Sequence, residues 1–189
     1  MKRCIVVEDG ENTVEKFIEE TCKKSDLEYI YISTGKRSGR SNAGNIGMEN
    51  ATGEYYNFLD DDDYLLPNHV STLIAELKNS KFKVAYSIAE EHQITVKKTG
   101  ECRLKRKLIR YKQPFNKLLL CYMNYFPIQS VMFHRSFFEQ YGGFNTEYTY
   151  LEDWDMWLRY AMDNNSALEA LCVRCLPSME LEIDLNGIK

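Results

Sequence analysis

The segment Tyr55 to Leu59 runs without a turn residue into four consecutive aspartates, Asp60 to Asp63. Four neighbouring carboxylates at a strand end repel one another, and crowding or burying them costs free energy unless a cation or hydrogen-bond donors compensate. The same pattern occurs at the start of the chain, where Arg3-Cys4-Ile5-Val6-Val7 is a short β-branched run closed by Glu8-Asp9-Gly10. Between the two lie a helical repeat (Val14, Phe17, Ile18, Cys22) behind an Asn12 or Thr13 cap, a second strand from Leu27 to Ile32, and a polar basic loop from Thr34 to Arg40. A small-residue helix from Ser41 to Ala51 follows, closed by Thr52-Gly53. Pro67 opens a further helix with Val70, Leu73, Ile74 and Leu77 on one face. Strand, loop and helix in alternation imply an α/β fold with a mainly parallel sheet, whose ligands sit at the carboxyl ends of the strands, where both acidic clusters fall.

Beyond residue 80 the pattern loosens. Lys83 to Val96 reads as one long strand or two short ones, Pro114 to Met123 as a helix, Ile128 to Phe133 as a strand and Leu151 to Met162 as a helix. With no internal repeat or low-complexity linker, the 189 residues read as one domain, with a first half over about 1–80 and a second over about 81–189. Nine Phe, 13 Tyr and two Trp exclude disorder. No apolar run reaches the ~18 residues that span a bilayer, so the expectation is a cytoplasmic chain without a transmembrane segment. The six cysteines are scattered, as in a reducing compartment, and Cys172-x-x-Cys175 has no second pair to complete a zinc site.

The aspartate run admits several readings. A solvated acidic loop capping the next helix is the plainest, since negative charge is favourable at a helix N-terminus. A divalent cation is the economical way to hold crowded carboxylates, and their oxygens suit magnesium or manganese, which take remaining ligands from water and substrate phosphates. A calcium loop starting at Asp60 fails, because Leu65 and Ser71 stand where glycine and glutamate are required. An aspartyl phosphatase built on Asp60 and Asp62 is the weaker alternative, with Tyr64 where a small residue belongs.

The stretch from Gly39 to Pro67, GRSNAGNIGMENATGEYYNFLDDDDYLLP, resembles the inverting family 2 glycosyltransferases of the GT-A fold. The resemblance rests on a small-residue helix with an Asn-x-Gly element, an Ala-x-Gly-Glu-Tyr segment, an apolar strand, an Asp-x-Asp-Asp run and a Pro-started helix. Ile5-Val-Val-Glu-Asp-Gly10 is similar to the family's second strand. Gly142-Gly-Phe followed by Leu151-Glu-Asp-Trp-Asp-Met-Trp-Leu-Arg159 is similar to its acceptor-side motif. Order and spacing agree over roughly residues 3 to 162.

The resemblance implies a GT-A-like fold and transfer of a sugar from a nucleoside-diphosphate sugar, UDP-linked by expectation, to an acceptor hydroxyl with inversion. Asp9 would accept a hydrogen bond from the base, Arg40 would reach the nucleotide, and Asp60 and Asp61 would face the ribose and metal. Asp62 would be the direct ligand of Mn2+ or Mg2+, with Asp60 beside it. Asp153, with Glu152, would supply the general base. Residue chemistry agrees: a departing diphosphate needs its charge stabilised, and a sugar hydroxyl needs its proton removed. Simple helix capping is the competing account of Glu152 and Asp153.

In that helix Asp155 and Arg159 are spaced to pair, and Trp154, Trp157, Leu158 and Ala161 form a core stripe. His69, His92 and His134 form no ligand spacing. Residues 97–112 hold eight Lys and Arg against one acid, Glu101. Such runs are usually solvated surface; otherwise this one is a mobile segment that folds over the diphosphate or meets an anionic acceptor or the inner face of a membrane. The net charge of -4 and the lack of interleaved stacking aromatics argue against nucleic acid. The acceptor stays open between a saccharide, a lipid-linked molecule and a protein, as in polysaccharide biosynthesis.

The family's first strand and helix have no counterpart before Ile5, so the expectation is an N-terminally truncated member. That strand would be central; the sheet closes without it, or a second copy completes it, or the chain is an inactive nucleotide-sugar-binding remnant. A metal-dependent phosphatase or nucleotidyltransferase is the remaining alternative, the latter without its glycine-rich phosphate loop.

Overall fold

The computed structural model describes residues 3–25, 27–97, 101–162 and 170–173. The order of elements is β1 (Arg3–Glu8), α1 (Glu15–Ser25), β2 (Glu28–Ser33), α2 (Arg40–Asn50), β3 (Tyr55–Asn57), α3 (His69–Lys78), β4 (Val84–Ser87), β5 (Ala89–Val96), β6 (Cys102–Tyr111), α4 (Lys117–Tyr122), β7 (Val131–His134), α5 (Ser136–Tyr141), α6 (Glu152–Met162) and β8 (Ala170–Val173). The described strands form a parallel pair β1–β2, a four-stranded sheet in the order β3–β7–β4–β8, and an antiparallel hairpin β5–β6. The chain divides into two compact units, Met1–Tyr56 with Phe133–Ala167, and Asn57–Met132 with Leu168–Lys189.

In the first unit β1 and β2 pair in register from Arg3↔Glu28 to Glu8↔Ser33. Glu8, at the end of β1, sets the start of α1. Its carboxylate accepts the backbone N–H groups of Thr13 (3.0 Å) and Val14 (3.3 Å) and the hydroxyls of Thr13 and Tyr31. The cap expected from Asn12 or Thr13 is thus supplied from the strand, because a full negative charge satisfies the orphan amides better than a neutral side chain. Phe17, expected on the packed face of α1, is 68% exposed, whereas Cys22 is buried.

Helix α2 is built of small residues so that neighbours can approach its backbone. A Cβ at Gly44 would run into the ring of Phe144, and one at Gly47 would touch Val7. The core of this unit is aromatic: Tyr56, Phe133, Phe137, Trp157 and Tyr160 are all buried, with Phe133 edge-on to both Trp157 and Tyr160. The buried arc of α6 is Met156, Trp157, Tyr160 and Ala161. It is rotated from the expected stripe, leaving Trp154 and Leu158 half-buried. Asp155 and Arg159 pair at 2.8 Å as expected, and the guanidinium also donates to the carbonyls of Tyr141 (2.8 Å) and Gly143 (2.5 Å).

The strand expected over Tyr55 to Leu59 stops at Asn57, where the second unit begins. The Asn57 amide donates to the carbonyls of Gln129 (3.0 Å) and Val131 (2.8 Å), spending its side chain on the backbone of a neighbouring segment. Pro67 does not open α3; the helix starts two residues later behind Asn68, after a turn closed by the His69 N–H to the Leu66 carbonyl at 2.9 Å. Leu73 and Leu77 bury the helix, and all four residues of β4 are buried. Lys83 to Val96 resolves into two strands, and a 3-10 turn, Ile128–Ser130, occupies the beginning of the run read as one strand. Strand β4 runs parallel to β8 from Val84↔Ala170 to Ser87↔Val173. Cys175 of the Cys-x-x-Cys pair lies outside the described residues.

Candidate functional site

The first unit holds four of the expected residues, Asp9, Arg40, Glu152 and Asp153, at its strand and helix ends. Asp9, just past β1, accepts the N–H (2.7 Å) and hydroxyl (2.9 Å) of Ser38 and the N–H of Gly39 (3.0 Å), with the Thr34 hydroxyl at 3.4 Å. The Ser38 amide, above the other donors, holds its carboxyl below the usual range. Asp9 therefore fixes the basic loop and the entry to α2. Oδ2 takes the Gly39 amide, and a carboxylate oxygen can accept more than one hydrogen bond, so Asp9 retains accepting capacity.

Arg40, the first residue of α2, points its Nε at Oε1 of Glu152, 2.8 Å away. The two ends differ in environment: the Arg40 side chain is 61% exposed, the Glu152 side chain 5%. Glu152 opens α6 directly behind Leu151, which adopts φ 60°, a left-handed conformation rare in a branched residue. This kink turns the chain so that Glu152 faces inward. Asp153, half-buried, has one oxygen 2.8 Å from the Trp154 N–H. Glu152 and Asp153 thus occupy the first turn of α6.

A second junction ties α2 to the loop before α6. The Asn45 amide donates to the Phe144 carbonyl (2.9 Å) while its oxygen accepts the Phe144 N–H (2.8 Å), and the Ser41 hydroxyl donates to the Tyr148 carbonyl (3.3 Å). Sequence reasoning missed Asn45 and Ser38. Asn45 lies in the Asn-x-Gly element and Phe144 in the Gly-Gly-Phe segment, so the signal was two motifs whose partnership spacing alone does not reveal.

The second unit holds the aspartates. The Asp63 N–H closes a turn on the Asp60 carbonyl at 3.2 Å, and this curl gathers one oxygen each of Asp60, Asp62 and Asp63 within 4.8 Å of one another. Asp61 is not a member of that set, and Asp63, given no role above, is. Desolvation, then the charges of Asp62 and Asp60, push the Asp63 carboxyl above its ordinary value. Three converging carboxylates whose mutual repulsion is felt this way fit a hard divalent cation such as magnesium or manganese. Tyr64, the next residue, meets Nδ1 of His92 on β5 at 2.9 Å, and His92 meets Glu90 at 3.1 Å. His69 is buried beside the Ser87 hydroxyl (3.4 Å), and burial lowers its pKa.

The sequence pattern of glycosyl transferase family 2 matches residues 2–142. The chain belongs to that family. Among family-related proteins, an uncharacterized glycosyltransferase of Bacillus subtilis (strain 168), YwdF, is 29% identical over 138 residues, which are 73% of this chain and 50% of that protein. In three dimensions the fold is similar to S. aureus TarS: a crystal structure of its residues 1–349 superposes with a TM-score of 0.65 at 14% identity, over 93% of this chain and 48% of that one. The longer TarS structure gives 0.66 at 15% identity, over 91% and 29%, and a TarS complex with UDP gives 0.59 at 16%, over 80% and 43%. The chain spans about half the length of the first relatives it matches. The family 2 assignment and the likeness to TarS agree with the expected GT-A-like α/β architecture.

Proposed function

We propose that this family 2 chain transfers a sugar from a nucleoside-diphosphate sugar, with UDP as the carrier, to an acceptor hydroxyl with inversion, in the cytoplasm or at the inner face of its membrane. The observation that carries the proposal is the convergence of Asp60, Asp62 and Asp63 at the end of the strand that the family 2 match includes. The complex of the similar TarS fold with UDP supports the choice of carrier.

In this reading Asp60, Asp62 and Asp63 would hold Mn2+ or Mg2+, which would neutralise charge on the diphosphate. Asp9 uses its spare accepting capacity for an N–H of the base, and Arg40 and Asp61 orient the nucleotide. The Asp153 carboxylate takes the proton of the acceptor hydroxyl as that oxygen bonds to the anomeric carbon. The bond from that carbon to the diphosphate breaks on the opposite face, and the diphosphate leaves with its electron pair. Glu152, held by Arg40, orients the first turn of α6 on which Asp153 stands. The acceptor is a saccharide, a lipid-linked molecule or a protein residue.

Calorimetric titration with UDP, with and without Mn2+, tests the reading. Binding should depend on the metal, and Asp62→Ala should remove that dependence. Asp153→Asn should keep UDP binding but abolish sugar transfer. UDP binding with no hydrolysis or transfer in the unsubstituted chain would instead identify a nucleotide-sugar-binding module. Metal-dependent release of phosphate from a monoester without UDP affinity would favour a phosphatase.

A further inference from the structure

Most of the basic segment noted in the sequence lies in β6, one strand of an antiparallel ribbon. Strands β5 and β6 pair from Ala89↔Tyr111 to Val96↔Cys102, with register shifts between Ala89 and Glu90 and between Gln93 and Ile94. Directly opposed residues share a face, so beyond the second shift one face carries Ile94 against Leu104 and Val96 against Cys102, and the other carries Thr95 against Arg103. Large apolar side chains on the first face stand in solvent: Ile94 is 54% exposed, Val96 60% and Leu104 45%. Around them Arg103, Lys105, Arg106 and Lys107 are all exposed, and none has an acidic partner among the described residues. Glu101, the one acid of residues 97–112, is engaged by Lys97 at 2.6 Å.

Two demands follow from one short ribbon. The apolar face gains by leaving water, and the cations gain by meeting negative charge. A soluble polyanion would satisfy the second and leave the first in water. An apolar protein groove would do the reverse. The surface of an anionic bilayer meets both, since side chains such as Ile and Leu enter the acyl boundary while Lys and Arg stems reach back to the headgroups. We propose that the part of the β5–β6 ribbon formed by residues 94–96 and 102–107 is a docking element for a lipid surface rich in anionic headgroups. Its root lies beside the aspartate turn through the contact of Tyr64 with His92, so docking holds the Asp60–Asp63 turn near the headgroup plane.

Co-sedimentation of the full chain with vesicles tests this. The protein should pellet with mixed phosphatidylcholine and phosphatidylglycerol vesicles, stay in solution with phosphatidylcholine alone, and release as salt rises. Replacing Arg103, Lys105 and Arg106 together by Gln should weaken binding at least tenfold, and so should Ile94→Ser with Leu104→Ser, with thermal unfolding unchanged. An Ile94→Trp reporter should show blue-shifted emission and quenching by brominated lipid. Equal pelleting with both vesicle types, no pelleting with either, or wild-type binding by the Ile94→Ser, Leu104→Ser variant would each overturn the proposal. The last of these, with polyphosphate competing fully, would point to a soluble polyanion instead.

Discussion

Asn45 holds Phe144 by both of its backbone groups, donating to the carbonyl at 2.9 Å and accepting the amide at 2.8 Å. One side chain thus does the work of a strand neighbour for an irregular segment, and it joins α2 to the loop that leads to α6. Asn45→Ala would leave a half-buried N–H and C=O without these partners, a loss of ~1–3 kcal/mol. Chemical denaturation should show it as a lower midpoint with an unchanged slope. Asn45→Asp keeps the acceptor and loses the donor, and should fall between.

The glycines of the same junction give a second expectation. Phe144 packs where a Cβ on Gly44 would stand, and a Cβ on Gly143 would meet the Asn45 side chain and, at 2.6 Å, Met48 Cε. Gly44→Ala should therefore destabilise by ~1–3 kcal/mol through overpacking, although alanine is the better helix former. Since both changes displace Phe144, the double variant with Asn45→Ala should lose less than the sum of the two, which a double-mutant cycle in denaturant measures.

The acidic limb of the stability profile should belong in part to Glu8. Hydrogen bonds from the Thr13 hydroxyl first, then Tyr31 and the backbone amides of Thr13 and Val14, lower its pKa from 4.5 to about 2. A depressed carboxyl contributes stability that is full above its unfolded value and is lost as pH falls through the folded one. The loss attributable to Glu8 thus lies between pH 4.5 and about 2, and Glu8→Gln should flatten the fall of melting temperature there. Tyr31, raised from 10.0 to about 12 by desolvation and then by Glu8, has the opposite edge: its contribution is present below 10.0 and disappears as pH rises to about 12. Tyr31→Phe should remove that alkaline step.

Arg40 and Glu152 form a lopsided pair, one end in solvent and the other buried. Arg40→Met should lower stability by ~1–3 kcal/mol, because a buried carboxylate loses a charged donor. Arg40→Lys should restore only part of this, since an ammonium does not reproduce the guanidinium fork. If Arg40 also touches the nucleotide, UDP affinity should fall in both variants. Unfolding curves and calorimetry separate the two effects.

The aspartates make a sharp comparison. Asp63→Asn and Asp62→Asn should each weaken Mn2+ binding at least tenfold, and Asp61→Asn should leave the metal alone, as read by manganese paramagnetic resonance. Equal losses in all three would mean that the turn binds cations by bulk charge rather than through the convergent set.

Much of this architecture was legible because it rests on local pattern. The continuous apolar run of β1, the Leu27 to Ile32 run with its alternating Tyr and Ile, and the apolar face of α3 each appear within a residue or two of their expected positions. Glu152 and Asp153 open α6 as anticipated. What escaped depends on side-chain geometry that hydropathy and periodicity do not carry, some of it between residues only three to five positions apart. Nothing near Thr13 says that Glu8 will cap the helix in place of Asn12, and nothing in the aspartate run says that a turn will bring in Asp63 and leave out Asp61. Asn57 ends β3 early because its amide binds the backbone of residues 129 and 131, 72 and 74 positions away. The buried arc of α6 was misjudged by one step because Tyr160 packs on Phe133 and Phe137, a preference set by neighbouring rings rather than by hydropathy.

Strand β1 has one further bearing on how the molecule behaves in a tube. Among the described residues it pairs with β2 alone, and Ile5, Val6 and Val7 are only half-buried. On the side away from β2, alternate amides of β1 therefore have no strand partner among the described residues, and Ile5, Val6 and Val7 carry no charge that would repel an incoming backbone. Shelf life at high concentration, more than catalytic competence, should then be governed by these three residues, and a lysine placed among them would act as a guard against self-association.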